Sequence, residues 1–330
     1  MSKLVSVIIP CYNAERFVDD AIRSVYEQDY QNIELIVVND GSTDNSEQII
    51  LKWEEPFIKG RRIFRYIYQK NLGLGGAVNT GLKYVTGDYL TLLDADDKYL
   101  QGNIRKKAEF LQNNPDYSMV RVNGWVCSER NRWLFVQSAE EISEDYFMLI
   151  TFHKTSNWAG TYMVRTELLF NHYKDRNIYQ SRFGQNFQII LPVAYKTKCG
   201  YINEPLMEYI KRPNSLTINA ESEKQYIIEQ RNLEGYKDIY HYVVNRVVKD
   251  NAERQKYLDI YDIESMREKM AQAIRFQDQN EIKKCIKWLK KKKKYNLDDR
   301  IRYYSSRNSL KAYFFRLIRK ANSLCAKKTN

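Results

Sequence analysis

Three aspartates lie within four positions, at Asp94, Asp96 and Asp97, directly after the apolar run of residues 89–93. A short apolar run of this kind predicts a buried strand, which places the acids at its carboxyl end. Two carboxylates about 5 Å apart repel by roughly 3 kcal/mol at an effective dielectric constant of about 20. A divalent cation would compensate that repulsion, and oxygen ligands favour Mg²⁺ or Mn²⁺ bound together with the phosphates of a ligand. The alternative is a solvated acidic turn before a helix.

Strand and helix patterns alternate in the part of the chain that precedes these acids. Residues 4–10, 34–38 and 63–68 are β-rich runs, and each is followed by polar or glycine-rich residues and then by a helical pattern. This succession predicts an α/β fold with a largely parallel sheet. Ligands of such sheets bind outside the carboxyl ends of the strands. Asn13, Asp40, the glycine-rich segment and the aspartates are therefore expected to meet at one edge.

Four segments in this order resemble the signatures of family 2 glycosyltransferases. They are VIIPCYN at 7–13, VVNDGSTD at 37–44, NLGLGGAVNTG at 71–81 and LDADD at 93–97. The resemblance implies a GT-A fold, which is a Rossmann-like, mostly parallel sheet flanked by helices, and it implies inversion at the anomeric carbon. It also implies a nucleotide-diphosphate sugar donor and a divalent metal. The resemblance is strong over about residues 3–100 and extends weakly to about residue 215.

The resemblance further implies roles for individual residues. Asp96 and Asp94 of the DXD motif bind the metal, Mn²⁺ or Mg²⁺, with Asp96 as the direct ligand and Asp94 also near the ribose or a metal-bound water. Asp97 supports the metal ligands from behind or contacts the substrate. The remaining residues expected to contact the donor are Pro10, Tyr12, Asn13, Asp40, Asn71, Gly75, Ala95, Lys211, Arg212 and Ser215.

Some of these contacts leave alternatives open. A carboxylate at Asp40 suits the N3–H donor of uracil, so the donor is predicted to be UDP-linked; the alternative is a plain turn aspartate. Lys211, Arg212 and Ser215 either close over the diphosphate or form a basic surface turn. Trp158 either stacks under an acceptor sugar or belongs to the core.

The chain departs from the family pattern where an acidic pair usually supplies the general base. Gln185 and Asn186 occupy that position, and amides do not accept protons at neutral pH. These two residues are expected to bind the acceptor or the donor sugar, while another acid takes the proton. Asp97, Asp175 and Glu204 are the candidates for that base, which the sequence does not identify.

Length and composition predict two parts. The 330 residues, 43% of them hydrophobic, divide into a GT-A catalytic domain at 1–218 and an α-helical region at 219–330. Within the catalytic domain, 1–100 is the nucleotide-sugar half and 101–218 the acceptor half. Five scattered cysteines indicate neither a disulfide framework nor a zinc cluster, and no apolar run is long enough for a signal peptide or a membrane span. A cytoplasmic protein is expected.

The basic charge is concentrated at the end of the chain. Residues 281–330 contain 17 lysines and arginines against three acids. Apolar residues then recur at helical spacing between 310 and 324, interspersed with cations. The stretch 288–324 either lies on an anionic membrane, at the inner face of the cell membrane, or packs on the catalytic domain or, as a homo-oligomer interface, on a second copy. Nucleic acid is excluded as a partner because the catalytic half is not basic.

The sequence therefore predicts a metal-assisted, inverting glycosyltransferase of the hexosyltransferase type in polysaccharide biosynthesis. Its partners are a nucleotide-diphosphate sugar, UDP-linked, and a glycan or lipid-linked acceptor. The alternative is a catalytically silent sugar-nucleotide-binding or partner-binding scaffold, because Gln185 and Asn186 replace the usual acids. An oxidoreductase is disfavoured, since the glycines at 73–76 do not form the dinucleotide fingerprint.

Overall fold

The computed structural model describes residues 2–128, 130–155, 157–181, 183–211 and 223–305. These residues form two compact units. The first contains the residues up to 211 together with Asp238–Tyr257, and the second contains 223–237 and 258–305. The domain boundary expected at 218 lies outside the described residues.

Nine strands and twelve α-helices are present in the described parts of the chain. The strands are β1 (Val5–Cys11), β2 (Ile33–Asn39), β3 (Ile63–Tyr68), β4 (Tyr89–Leu92), β5 (Lys98–Tyr99), β6 (Tyr117–Cys127), β7 (Arg132–Leu134), β8 (Tyr162–Arg165) and β9 (Lys198–Ile210). The helices of the first half are α1 (Val18–Tyr26), α2 (Ser46–Leu51), α3 (Glu54–Lys59), α4 (Gly73–Tyr84), α5 (Asn103–Asn113), α6 (Tyr146–Thr151), α7 (Thr166–His172) and α8 (Gln185–Ala194). The later helices are α9 (Glu223–Val247), α10 (Asn251–Arg275), α11 (Gln279–Lys291) and α12 (Leu297–Ser305).

The strands form one sheet in the order β3-β2-β1-β4-β8-β6-β9-β5, and β7 pairs with β6. The strands β3, β2, β1 and β4 are parallel, so their carboxyl ends meet at one edge. In register, Cys11 lies beside Asn39, and Asn39 lies beside Tyr68. Strand β8 is antiparallel to β4 and β6, whereas β9 runs parallel to β6. The prediction of an α/β fold with helices around a mostly parallel sheet is confirmed.

The central strands are apolar because both faces of the sheet are covered. Every residue of β1 and β2 is buried, as expected for parallel strands packed between helices. Helix α4 lies directly on β1, since a Cβ atom at Gly81 would come within 2.7 Å of Ile8 Cγ2. This close packing holds the last turns of α4 against β1.

A buried carboxylate lies inside this sheet, near its amino edge. Glu34 of β2 is 0% exposed and accepts hydrogen bonds from Ser6 Oγ at 2.6 Å and Arg65 Nε at 2.9 Å. The backbone N–H and hydroxyl of Thr86 donate to the same carboxylate at 2.9 and 2.8 Å. Glu34 thus joins β1, β2, β3 and the segment that precedes β4.

The second unit is helical. Ile263, Met270, Cys285 and Leu289 form its buried cluster, and Asp278 caps α11 by accepting from the backbone N–H groups of residues 280 and 281. The predicted helical C-terminal region is confirmed for its described part. In that part and in the rest of the described chain, no helix has the length and apolar content to cross a membrane.

Candidate functional site

The loops that follow β1 and β2 are held together by Asn13. Its φ angle is +49°, its N–H donates to Ser42 Oγ at 3.0 Å, and its Oδ1 accepts from the N–H of Thr43 at 2.8 Å. Asp44 adds a second connection, because its Oδ2 accepts from the N–H of Glu15 at 3.0 Å. Asn13 therefore shapes the edge of the sheet through contacts with the β2 loop.

Asp40 is the buried carboxylate directly after β2. Its Oδ1 accepts from Gln69 Nε2 at 2.6 Å and from the N–H of Leu72 at 2.8 Å, so it holds the segment before α4. Among the described residues, none donates a hydrogen bond to Asp40 Oδ2, which leaves that oxygen for a ligand. Gly41 has a φ of +72°, and a Cβ there would lie 2.8 Å from the N–H nitrogen of Asn71, so glycine is needed at this position.

Two tyrosines expose their rings beside Asp40. Tyr12 follows β1 and is 52% exposed, and Tyr68 ends β3 and is 58% exposed. Because β2 lies between β1 and β3, the two tyrosines lie on either side of the strand that leads to Asp40. Tyr12 was expected at this edge. Tyr68 was missed, although its place as the last residue of a predicted strand could have indicated it.

The other predicted donor contacts are placed as follows. Pro10 and Ala95 are buried, and Asn71 Oδ1 accepts from the N–H of Gly73 at 3.1 Å, at the start of α4. Gly75 was expected to let the backbone approach the donor. In the structure a Cβ at Gly75 would lie 2.6 Å from the carbonyl oxygen of Ser181, so the close neighbour is the segment before α8.

Asp94 and Asp96 follow β4, as the sequence predicts. The N–H of Asp97 donates to the carbonyl of Asp94 at 3.0 Å, which closes a tight turn around the motif. Burial and the neighbouring charge of Asp96 raise the pKa of Asp94 to about 7. The two carboxylates thus resist being ionised together, and a dication would remove that resistance.

The two aspartates suit a cation that is bound partly by the protein and partly by a ligand. No group of three or more histidine, cysteine or acidic side chains suited to a metal occurs in the described ranges. Two carboxylates alone leave most positions of Mg²⁺ or Mn²⁺ open, and phosphate oxygens are the usual remaining ligands. Asp94 and Asp96 are therefore suited to a metal that binds together with a diphosphate.

Asp97 has a different environment from its two neighbours. It is 1% exposed, and its Oδ1 accepts from the N–H of Ile210 at 3.1 Å. It therefore holds the end of β9, directly before Lys211, whose N–H donates to the carbonyl of Cys127 at 2.7 Å. The catalytic role of Asp97 stays a prediction. The predicted contacts Arg212 and Ser215 lie outside the described residues.

Gln185 and Asn186 form the first turn of α8, after Gly184 with a φ of +68°. Gln185 Nε2 donates to the carbonyl of Ser181 at 3.2 Å, and Asn186 Oδ1 accepts from the hydroxyl of Tyr162 at 2.8 Å. Tyr162 is fully buried. Its burial, followed by the charge of Asp94, raises the pKa of Tyr162 well above the usual value. Tyr162 therefore connects Asn186 with Asp94, because its hydroxyl donates to Asn186 and its pKa responds to the charge of Asp94.

Trp158 lies in an aromatic stack. Its ring centroid is 3.8 Å from that of Phe135 and 4.2 Å from that of Tyr209. Two rings at these distances occupy opposite faces of an indole, because they would overlap on the same face. The predicted stacking of an acceptor sugar on Trp158 is thus not available here. Trp158 presents only an edge.

Two of the three candidate general bases are engaged in ion pairs. Asp175 pairs with Arg246 at 3.7 Å, and Glu204 pairs with Lys106. The sequence reasoning missed a fourth acid. Glu208 of β9 lies opposite Lys98, the residue after Asp97, and pairs with Arg132 at 2.8 Å.

Glu208 also lies close to Cys127 and to the end of the acidic motif. Burial, then the charge of Glu208, raises the pKa of Cys127, and Asp97 contributes in the same direction. The signal that could have revealed Glu208 is the pairing of β5 with β9, which joins residues far apart in sequence.

A mostly parallel sheet with two aspartates at the end of its fourth parallel strand defines the class of GT-A glycosyltransferases. The family model "Glycosyl transferase family 2" matches residues 6–189, and the chain belongs to that family. The glycosyltransferase GlyG of Streptococcus pneumoniae is 39% identical over 227 residues, which are 66% of this chain and 73% of that relative. An uncharacterized glycosyltransferase of Haemophilus influenzae is 37% identical over 148 residues. The chain spans 57% of the length of that protein and 13% of GlyA of S. pneumoniae.

Solved structures agree with the fold. S. aureus TarS 1–349 superposes with a TM-score of 0.56 at 18% identity, over 83% of this chain and 78% of that one. The mannosyltransferase PcManGT from Pyrobaculum calidifontis, in complex with GDP-Man and Mn²⁺, gives 0.51 at 15% identity, over 83% and 75%. TarS 1–349 is also known in complex with UDP-GlcNAc. At these identities the similarity concerns the fold alone.

Proposed function

We propose that the protein is an inverting glycosyltransferase that moves a sugar from a UDP-linked donor to a glycan or lipid-linked acceptor. The observation that carries this proposal is the position of Asp94 and Asp96 at the edge where β1, β2 and β4 end. A diphosphate bound there would lie between the aspartates and Asp40. The nucleotide sugars and the Mn²⁺ bound by structural neighbours support the proposal.

In this proposal, Asp40 and the two exposed tyrosines bind the base. Asp40 Oδ2 would accept the N3–H of uracil, while Tyr12 and Tyr68 offer ring surfaces to the nucleoside. The segment before α4 cannot move freely, because Asp40 Oδ1 holds Gln69 and Leu72. The base site is therefore formed before the ligand arrives.

We expect Asp40→Asn to weaken UDP binding by about 5- to 150-fold, the loss of about 1–3 kcal/mol that follows an unpaired hydrogen-bonding group. An amide can donate to cytosine N3, so the ratio of CDP to UDP affinity is expected to rise in the same variant. Calorimetric titration with both nucleotides measures this ratio. Asp116→Asn, an exposed aspartate before β6 at the amino edge of the sheet, serves as the control. An unchanged ratio would rule out contact between Asp40 and the base.

Asp96 and Asp94 would hold the metal in this proposal. A bound Mn²⁺ or Mg²⁺ would neutralise the charge that develops on the diphosphate as the glycosidic bond breaks. The aspartates orient the leaving diphosphate at the carboxyl edge of the sheet, and the buried turn between Asp94 and Asp97 keeps them in place.

Metal binding is expected to weaken as the pH falls below neutral. Because the pKa of Asp94 is raised to about 7, a proton occupies the carboxylate at lower pH and must leave when the cation binds. Titration of Mn²⁺ in the presence of UDP, in two buffers of different ionisation enthalpy, measures that proton release. The variant Asp94→Asn should release no such proton. Equal proton release by both proteins would contradict the assignment.

The acceptor is expected to meet Gln185 and Asn186. The hydroxyl of Tyr162 donates a hydrogen bond to Asn186 Oδ1. The N–H groups of the Asn186 amide would therefore donate to an oxygen of the ligand. Neither residue can take the acceptor proton. Glu208, across the pairing of β5 with β9 from the acidic motif, is the acid to replace first in a search for the base.

The two amides also favour a second function, a catalytically silent scaffold that binds a sugar nucleotide or a partner. The experiment that separates the two functions is incubation with Mn²⁺ and a panel of UDP- and GDP-sugars, with and without acceptors. Release of sugar from any donor, abolished by EDTA, supports the enzyme. Tight UDP binding without release of sugar from any donor supports the scaffold.

We further infer a cytoplasmic protein that contacts the inner face of the membrane through 288–324. A homo-oligomer through the same stretch is the alternative. The residues 306–324 of this stretch lie outside the described residues.

A further inference from the structure

The second unit contains a cavity of about 630 Å³ at the exposed side of α11 and α12. Three lysines of α11 and one arginine of α12 line it, together with tyrosines and an isoleucine. We call it the basic groove, and its main lining residues are Lys283, Lys287, Lys290, Arg300, Tyr295 and Ile286.

The cations of the basic groove have no acidic partner among the described residues. Nearby acids are engaged elsewhere: Glu281 pairs with Lys284 at 2.9 Å, and Asp299 pairs with Arg267 at 3.2 Å. Two of the groove cations contact an aromatic ring instead. Lys290 Nζ and Arg300 Cζ lie 5.5 and 5.9 Å from the ring centroid of Tyr295.

Residues 306–330 cannot neutralise this charge, because they contain seven lysines and arginines and no aspartate or glutamate. The basic groove is therefore suited to an anionic ligand. The spacing of Lys283, Lys287 and Lys290 places all three on one face of α11, so a single anionic surface can meet them together.

We propose that the basic groove binds the phosphates of anionic lipid headgroups. The proposal deepens the membrane contact proposed above and is independent of donor binding. Tyrosine rings beside cations are typical of residues at a membrane interface, where the ring is partly apolar and the hydroxyl is hydrated. The apolar residues at helical spacing between 310 and 324 fit a lipid surface and have no use on a nucleic acid or another hydrophilic polyanion.

The test is cosedimentation of the full chain with phosphatidylcholine vesicles that contain or lack phosphatidylglycerol. The groove variant is Lys283→Gln/Lys287→Gln/Lys290→Gln. The matched control is Lys52→Gln/Lys59→Gln/Lys83→Gln, which removes the same charge from exposed lysines of the first unit. We expect binding to the anionic vesicles only, a partition coefficient at least about tenfold lower for the groove variant, and a change within about twofold for the control.

Several results would overturn the proposal. The first is wild-type protein that does not bind anionic vesicles. The second is an equal decrease of the vesicle partition coefficient in both triple variants. The third is saturable binding of inorganic phosphate or polyphosphate without vesicle binding. A shift in oligomeric state of the groove variant with unchanged vesicle binding would assign the groove to contact between copies. UDP affinity, measured in the same proteins, is expected to be equal in all three. If none of the three proteins binds UDP, the proposed function is contradicted, and the vesicle result can still be interpreted.

Discussion

Asp96→Asn is expected to lower the rate of sugar transfer by at least about 10³-fold, since several kcal/mol of metal-derived charge stabilisation are lost at about 1.4 kcal/mol per tenfold. The variant keeps the shape of the side chain and removes the negative charge that would hold the cation. Initial rates with the most active donor of the panel, at saturating Mn²⁺, measure the effect. Asp116→Asn, at the opposite edge of the sheet, is expected to keep the wild-type rate.

The same substitution is expected to leave thermal stability unchanged or higher in the absence of metal. Burial raises the pKa of Asp94, and repulsion by the charge of Asp96 raises it further; asparagine at position 96 removes that repulsion. A melting curve in EDTA measures the sign. Activity and stability falling together would indicate that Asp96 supports the fold rather than a metal site.

Glu34→Gln is expected to lower the free energy of unfolding by about 3 kcal/mol, because hydrogen bonds to a charged group contribute about 1.5–3 kcal/mol and the amide accepts fewer of them. Glu34 is 0% exposed and serves Ser6, Thr86 and Arg65 at once, and a neutral amide satisfies fewer of these donors. Urea denaturation followed by circular dichroism measures the change. Glu109→Gln, an exposed residue paired with Arg105, is the control and is expected to change stability by less than about 0.5 kcal/mol.

The effect of Glu34→Gln is expected to depend on pH. Burial acts to raise the pKa of Glu34, but hydrogen bonds from Ser6, Thr86 and Arg65 outweigh burial and lower the pKa overall. A lowered pKa contributes stability above the unfolded value of about 4.3, and that contribution is lost as the pH falls through the folded value. The difference between wild type and variant should therefore shrink in acid. A difference that is constant from neutral pH to strongly acidic pH would exclude an ionised Glu34.

The parallel half of the fold and its acidic edge could be predicted from local patterns. Short apolar runs with polar ends identify β1, β2 and β4, and the rule that parallel strands share a ligand-binding edge brings Asn13, Asp40 and Asp94 together. Each of these inferences needs only residues that are neighbours in sequence. The structure agrees with the predicted strands and their ends.

The acceptor side could not be predicted in the same way, because distant segments form it. Trp158 is covered by Phe135 and Tyr209. Position 75 requires glycine because the backbone of Ser181 lies too close for a side chain. Glu208 comes next to the acidic motif only through the pairing of β5 with β9. Such contacts depend on strand register and helix packing between elements far apart in the chain, which hydrophobic periodicity does not specify.

Calorimetric titration of the full chain with UDP, in Mn²⁺ and in EDTA, tests most directly whether Asp94 and Asp96 bind a diphosphate through a dication. We expect saturable binding in Mn²⁺ that is lost in EDTA and in the Asp96→Asn variant. Equal UDP affinity with and without metal, or in wild type and Asp96→Asn, would contradict the account.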